Sequence, residues 1–301
     1  MVYDNQREAY GHTLVELGKH NKNIVVLDAD LGGSTMGRFF ENAYPQRHFE
    51  MGIAEANMLS VSAGLACAGK IPFANSFAVF VTGRAFDQIR QTISIGKLNV
   101  KIVGSSAGLS DFGDGSTHQS IEDIAIMRAI PNMTVVVPAD TNETVQATKA
   151  IADYPGPVYL RINRNPYPNV TPADQPFVVG QPTVLKEGSD VVIFATGVTV
   201  GMAMEAAQKS SKSVKVVNVS TIKPLDSAKI VELVGSCKYV VTAEEHSIVG
   251  GLGGAIAEAL HQTSLPIKFL GLKDEFGCSA KNYTELLEHY GITADAIGKL
   301  L

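Results

Sequence analysis

The sequence predicts an α/β protein of two domains in tandem, the first larger and built on a parallel sheet. Three observations predict it. Short, β-branched, nearly continuous apolar runs recur along the chain, helical patterns lie between them, and a proline-rich stretch divides the series in two. At 301 residues, 45% of them hydrophobic, the chain is long enough for two ordinary domains, each with its own core.

In the first part, Ile24-Val25-Val26-Leu27, Val100-Lys101-Ile102-Val103-Gly104, Met133-Thr134-Val135-Val136-Val137 and Val158-Tyr159-Leu160-Arg161-Ile162 read as strands covered on both faces. Helices are expected over residues 4–20, 55–69, 83–96, 120–129 and 141–152, which completes a domain over residues 1–165. Asn165-Pro166-Tyr167-Pro168-Asn169-Val170-Thr171-Pro172 breaks both periodicities, and residues 166–182 read as a linker. Beyond it, Val191-Val192-Ile193-Phe194, Val214-Lys215-Val216-Val217, Tyr239-Val240-Val241 and Ile267-Lys268-Phe269-Leu270 repeat the strand pattern in a smaller α/β domain over residues 183–301.

Composition excludes several functions. A net charge of -5 with no Lys/Arg-rich block leaves no footprint for nucleic acid. No apolar run approaches the roughly 20 residues that span a bilayer, and the start Met1-Val2-Tyr3-Asp4-Asn5-Gln6-Arg7-Glu8 is polar, so neither export nor membrane insertion is expected. Cys67, Cys237 and Cys278 are far apart and form no Cys-x-x-Cys pair, which fits a reducing cytoplasm.

Glu55 stands where the extended His48-Phe49-Glu50-Met51 turns, through Gly52-Ile53-Ala54, into a helix of small residues. An acid in a first turn is favoured by the helix dipole, which is one reading. The other is a carboxylate buried for a purpose, because burial without a partner is costly. Phe77 and Phe80, three apart, read as core or as a platform for a flat ring. In Gly113-Asp114-Gly115-Ser116-Thr117-His118-Gln119, His118 reads as a loop residue or as a group that moves protons near neutral pH. Arg38 and Arg164 read as solvated, or as a pair of forked phosphate donors. Arg84 either serves the same mouth or pairs with an acid. Gly250-Gly251-Leu252-Gly253-Gly254 follows a strand and opens a helix, but Ile256 stands where the third small residue of a dinucleotide loop belongs, so close packing is expected there.

Taken together and in order, these residues resemble the pyrimidine-binding half of a thiamine diphosphate enzyme, specifically the transketolase family. Asp30-Leu31 followed by Arg38 resembles the family's Ala-Asp-Leu segment and sugar-phosphate arginine; Gly52-Ile53-Ala54-Glu55 resembles its Gly-Ile-x-Glu; residues 114–119 resemble its Asp-Gly-x-Thr-His-Gln. The resemblance covers nearly the whole chain. It implies that Glu55 hydrogen-bonds the cofactor's pyrimidine nitrogen, that Phe77 and Phe80 flank that ring, that Asp114 and His118 contact substrate with His118 catalytic, and that Arg38 and Arg164 grip a phosphate. The family pattern is departed from at Ser106, where a histidine is common, and at Ala56.

Gly113-Asp114-Gly115 with Asn142 also resembles the start of the motif that holds magnesium and diphosphate in thiamine enzymes. Asp140-Thr141-Asn142-Glu143, however, reads as a helix N-cap. The chain is therefore expected to lack the diphosphate site and to be the C-terminal subunit of a split transketolase. The resemblance implies a partner N-terminal subunit that holds the diphosphate and its magnesium or calcium ion, an α2β2 assembly, and sugar phosphate substrates. A half-enzyme of deoxyxylulose-phosphate-synthase or 2-oxo-acid-dehydrogenase type, and a non-catalytic stabilising subunit, are the alternatives.

Overall fold

The computed structural model describes residues 5–301; residues 1–4, and with them part of the expected polar start, lie outside the described residues. Twelve strands run in chain order: β1 Ile24–Asp28, β2 His48–Glu50, β3 Ile71–Phe77, β4 Lys101–Ser105, β5 Thr134–Val136, β6 Val158–Arg161, β7 Thr183–Lys186, β8 Val191–Ala195, β9 Val214–Asn218, β10 Thr221–Lys223, β11 Tyr239–Ser247 and β12 Ile267–Leu272. They form a seven-stranded sheet, β10-β5-β6-β4-β3-β1-β2, and a five-stranded sheet, β12-β11-β8-β9-β7. All pairings are parallel except β10 with β5 and β7 with β9. Both sheets carry helices between their parallel strands, as the alternating pattern requires.

The strands expected from apolar runs are present, and β1, β4, β6 and β8 are buried at every residue, as sheets covered on both faces demand. β2 falls in the segment read as extended, and three strands, β3, β7 and β10, are additions. β3 lies in the middle of the first sheet, yet its Pro72, Asn75 and Ser76 interrupt the apolar run; buried Asn75 is accommodated by accepting the Tyr10 hydroxyl at 2.5 Å. β10 comes from the second half of the chain and pairs with β5, so the first sheet borrows an edge from beyond the linker. The helix expected over 83–96 is interrupted: one helix ends at Gly83, and a π-helical turn follows at Gln88–Ser94.

Asp140 does cap the helix Thr141–Asp153, accepting from Glu143 N, while its other oxygen accepts from Val170 N and Thr171 N on the segment after β6. Asn142 donates to Thr171 O. Both polar residues are thus committed to joining helix and linker. The glycines near 251 allow close packing: a Cβ at Gly251 would lie 2.0 Å from Glu244 Oε2, and the Glu244 carboxylate itself accepts from Leu252 N and Gly253 N. The helix start is filled by the chain's own acid.

In the first sheet, β1 has β2 on one side and β3 on the other, so chain direction switches there. In open α/β sheets the crevice at the carboxyl ends of strands flanking such a switch is the natural ligand site.

Candidate active site

The turn after β1 is built around Asp28. Its carboxylate accepts from Thr35 Oγ1 at 2.6 Å, lies 3.0 Å from His48 Nε2, and leaves no room for a side chain at Gly37. Glu50, at the end of β2, accepts from both Asp30 N and Gly52 N, so the segments following β1 and β2 are fixed against each other. Asp30 takes a left-handed φ of 57° in this turn.

Glu55 then opens the helix Glu55–Cys67 and is 3% exposed. Arg84 Nη1 donates to Glu55 Oε1 at 3.0 Å, and the same guanidinium lies 4.0 Å from the Phe80 ring centroid. The second carboxylate oxygen of Glu55 accepts no hydrogen bond from a described residue. Phe77 ends β3, Phe80 follows one helical turn later, and their rings stack with centroids 5.9 Å apart and planes 16° from parallel. His118 stands edge-on to both, 5.1 Å from Phe80 and 6.2 Å from Phe77. Asp30, Leu31, Ile53, Glu55, Phe80, Arg84, Thr117 and His118 line one open cavity of about 340 Å³. Four of the segments singled out in the sequence thus converge on one space.

Arg38, Phe77, Asp114 and Arg164 are not among the residues that line this cavity. Asp114 is exposed in the loop that ends in His118. Arg164 donates to Asp111 Oδ2 at 2.6 Å, and burial raises the Asp111 carboxyl above the usual carboxylate range despite that arginine. Arg38 is exposed, its guanidinium 3.5 Å from where a Cβ on Gly33 would stand, and it makes no ion pair or hydrogen bond with a described residue. A further arginine was missed in the sequence. Arg7, on the first helix, donates to Ser34 O at 2.8 Å and feels the charge of Arg164. Burial, and then Arg164, lower its pKa to about 10. The Asp111 carboxylate, paired with Arg164, also acts on Arg7 and offsets part of this repulsion. Arg7 carried no local motif, and its neighbourhood arises only when the first helix packs beside β1. Asp111 was missed as well, although an acid three residues before Asp114 was a visible signal.

Residues 5–170 match the model of the transketolase pyrimidine binding domain, and residues 180–297 match that of the transketolase C-terminal domain. The chain belongs to the transketolase family. A Methanocaldococcus jannaschii protein named as a transketolase C-terminal section is 46% identical over 308 aligned residues, spanning 99% of this chain and 95% of the relative. A 6-deoxy-6-sulfo-D-fructose transketolase subunit of Clostridium sp. (strain MSTE9) is 40% identical over 296 residues, covering 97% and 91%. Among solved structures, a split gene transketolase described as an inactive beta4 tetramer superposes with a TM-score of 0.88 at 46% identity, covering 98% of this chain and 96% of that one. This transketolase-family chain therefore has the expected tandem α/β architecture, with Glu55, Phe80 and His118 facing one cavity in its pyrimidine-binding part.

Proposed function

We propose that this chain is the C-terminal subunit of a split transketolase, which transfers a two-carbon ketol unit between sugar phosphates with thiamine diphosphate. It acts only when joined, as α2β2, to an N-terminal subunit that holds the diphosphate and its magnesium or calcium ion. The observation that carries the reading is the buried Glu55 with one carboxylate oxygen taken by Arg84 and the other open toward a cavity walled by Phe80. That donor set fits an aminopyrimidine: an acceptor for the ring nitrogen at the floor and an aromatic face beside it.

Thiamine diphosphate, when bound, supplies the nucleophilic carbon that carries the two-carbon unit. Glu55 orients the pyrimidine and holds a proton at its ring nitrogen. Phe77 and Phe80 position the ring by stacking. His118, edge-on to them and reached from the open side, takes and returns a hydroxyl proton of the substrate, and Asp114 accepts from a neighbouring hydroxyl. Arg164 and Arg38, together with Arg7, bind the substrate's terminal anion as forked donors. Free Cys67, Cys237 and Cys278 fit a reducing cytoplasm, and no helix among the described residues is long and apolar enough to cross a membrane.

Hydrogen–deuterium exchange at the cofactor's C2, measured on the assembled enzyme, tests the assignment. Glu55→Gln is expected to retain cofactor binding and to slow exchange severely, because an amide does not share a proton as a carboxyl does. Wild-type exchange in the variant would reduce Glu55 to a helix-dipole residue.

A further inference from the structure

We propose that the second domain positions the active site by clamping the loop that carries Asp114 and His118, with Gln119 as the positioning residue through which the clamp acts; the proposal rests on the role given to His118 above. His118 itself is poorly restrained by its own side chain. The one hydrogen bond of its side chain among the described residues joins Nδ1 to the adjacent Thr117 hydroxyl, and the ring stands edge-on to Phe77 and Phe80. Its direction is therefore set by its backbone, whose amide donates to Gly115 O at 2.9 Å; paired bonds between Gly108 and Ser120 close the base of the loop within the first domain, and further ties reach it from the second.

The ties recur along the loop. Leu109 N donates to Glu245 Oε1 at 2.8 Å, Ala280 N to Phe112 O at 2.9 Å, and Ser247 N to Ile121 O at 2.8 Å. Glu245, Ser247 and Ala280 all belong to the part of the chain beyond the linker. Gly115, with φ 75°, is packed so closely that a Cβ there would stand 2.5 Å from Ser279 Oγ.

Gln119 closes the set. It is 3% exposed, and its Nε2 donates both to Asp111 O within the loop, at 3.1 Å, and to Cys278 O across the domain boundary, at 3.0 Å. Its Oε1 has no donor among the described residues and lies against Gly277, where a Cβ would come within 1.8 Å. One amide therefore staples the start of the loop, its end and the second domain together. It does so one residue from His118. The absence of a side chain at residue 277 is what admits it. A glutamine that only filled space would need neither both acceptors nor a glycine opposite.

The test uses Gln119→Glu, which keeps the size but cannot donate to the two carbonyls, and Gly277→Ala, which pushes the amide out from the other side. In the lone chain, backbone hydrogen exchange over residues 109–121 is expected to rise about tenfold or more, and the His118 imidazole resonance is expected to move away from its ring-shifted position. In the assembled enzyme, kcat is expected to fall about ten- to a hundredfold, the scale of a small misplacement, with thiamine diphosphate affinity unchanged because Glu55 and Phe80 lie outside the loop. Should Gly277→Ala not fold, Gln119→Glu carries the test alone. Unchanged loop exchange and an unchanged His118 resonance in a folded variant would overturn the clamp. Full activity of His118→Asn would instead overturn the role of His118, and the exchange measurement would still decide the clamp.

Discussion

Arg84 Nη1 lies 3.0 Å from Glu55 Oε1 while its guanidinium covers the Phe80 ring, so one side chain touches both the acid and the aromatic wall of the cavity. The pair is uneven: Glu55 is buried, but the Arg84 side chain is half exposed. Water screens such a pair, so Arg84→Ala is expected to cost at most about 1 kcal/mol of stability. Arg161 and Asp123 make the contrasting pair, 2.7 Å apart and buried on both sides, with Tyr159 also donating to Asp123. Arg161→Ala leaves a buried carboxylate uncompensated and is expected to cost about 3–5 kcal/mol. Urea denaturation of the two variants checks the ordering; equal losses would contradict it.

The arginine arc predicts substrate discrimination. Each charge-assisted contact contributes roughly 1.5–3 kcal/mol. Arg164→Ala is expected to lower kcat/KM for a sugar phosphate by about ten- to a hundredfold, and Arg7→Ala to do the same. Activity on a non-phosphorylated hydroxyaldehyde is expected to change little, because that substrate makes no use of the contact. Equal losses on both substrates would remove the anion role.

His246 predicts a pH effect on stability. It is fully buried between Asp123 and Glu244, its Nε2 accepting from Ala125 N and its Nδ1 donating to Ser247 O, an arrangement of the neutral ring. Burial lowers its pKa to about 4 against the attraction of Asp123. The unfolded chain, with a pKa near 6.5 for this group, therefore binds a proton that the folded chain refuses. The contribution of His246 to stability is expected to fall as pH falls from about 6.5 to about 4, opposed in that window by Glu244 and Glu245, whose carboxyls burial pushes up to about 7, and His246→Gln is expected to remove the falling contribution. Thermal melts of both proteins across this range measure the slope; parallel curves would mean that His246 does not contribute.

How much of this was legible in the sequence follows from range. Strands such as β1 and β8 announce themselves because both faces are buried, so every residue is apolar. β3 does not, since the hydrogen-bond donor to its polar Asn75 is Tyr10, 65 positions away. β10 is three residues whose only signal is an antiparallel pairing across the linker. At the site, Glu55, Phe80 and His118 were readable because each sits in a local run of distinctive residues. Arg7 sits in a helix with no distinctive local run and acquires its neighbours only through packing. Gln119 was visible as a motif residue, but Cys278 and Gly277, which give it meaning, lie more than 150 positions on.

The central claim is that this chain supplies the pyrimidine pocket while another supplies the diphosphate and metal site. Calorimetric titration of the lone chain with thiamine diphosphate and magnesium tests it most directly. The account predicts weak binding that magnesium does not strengthen, and tight binding only after an N-terminal-half chain is added. Tight, magnesium-dependent binding by the lone chain would contradict it.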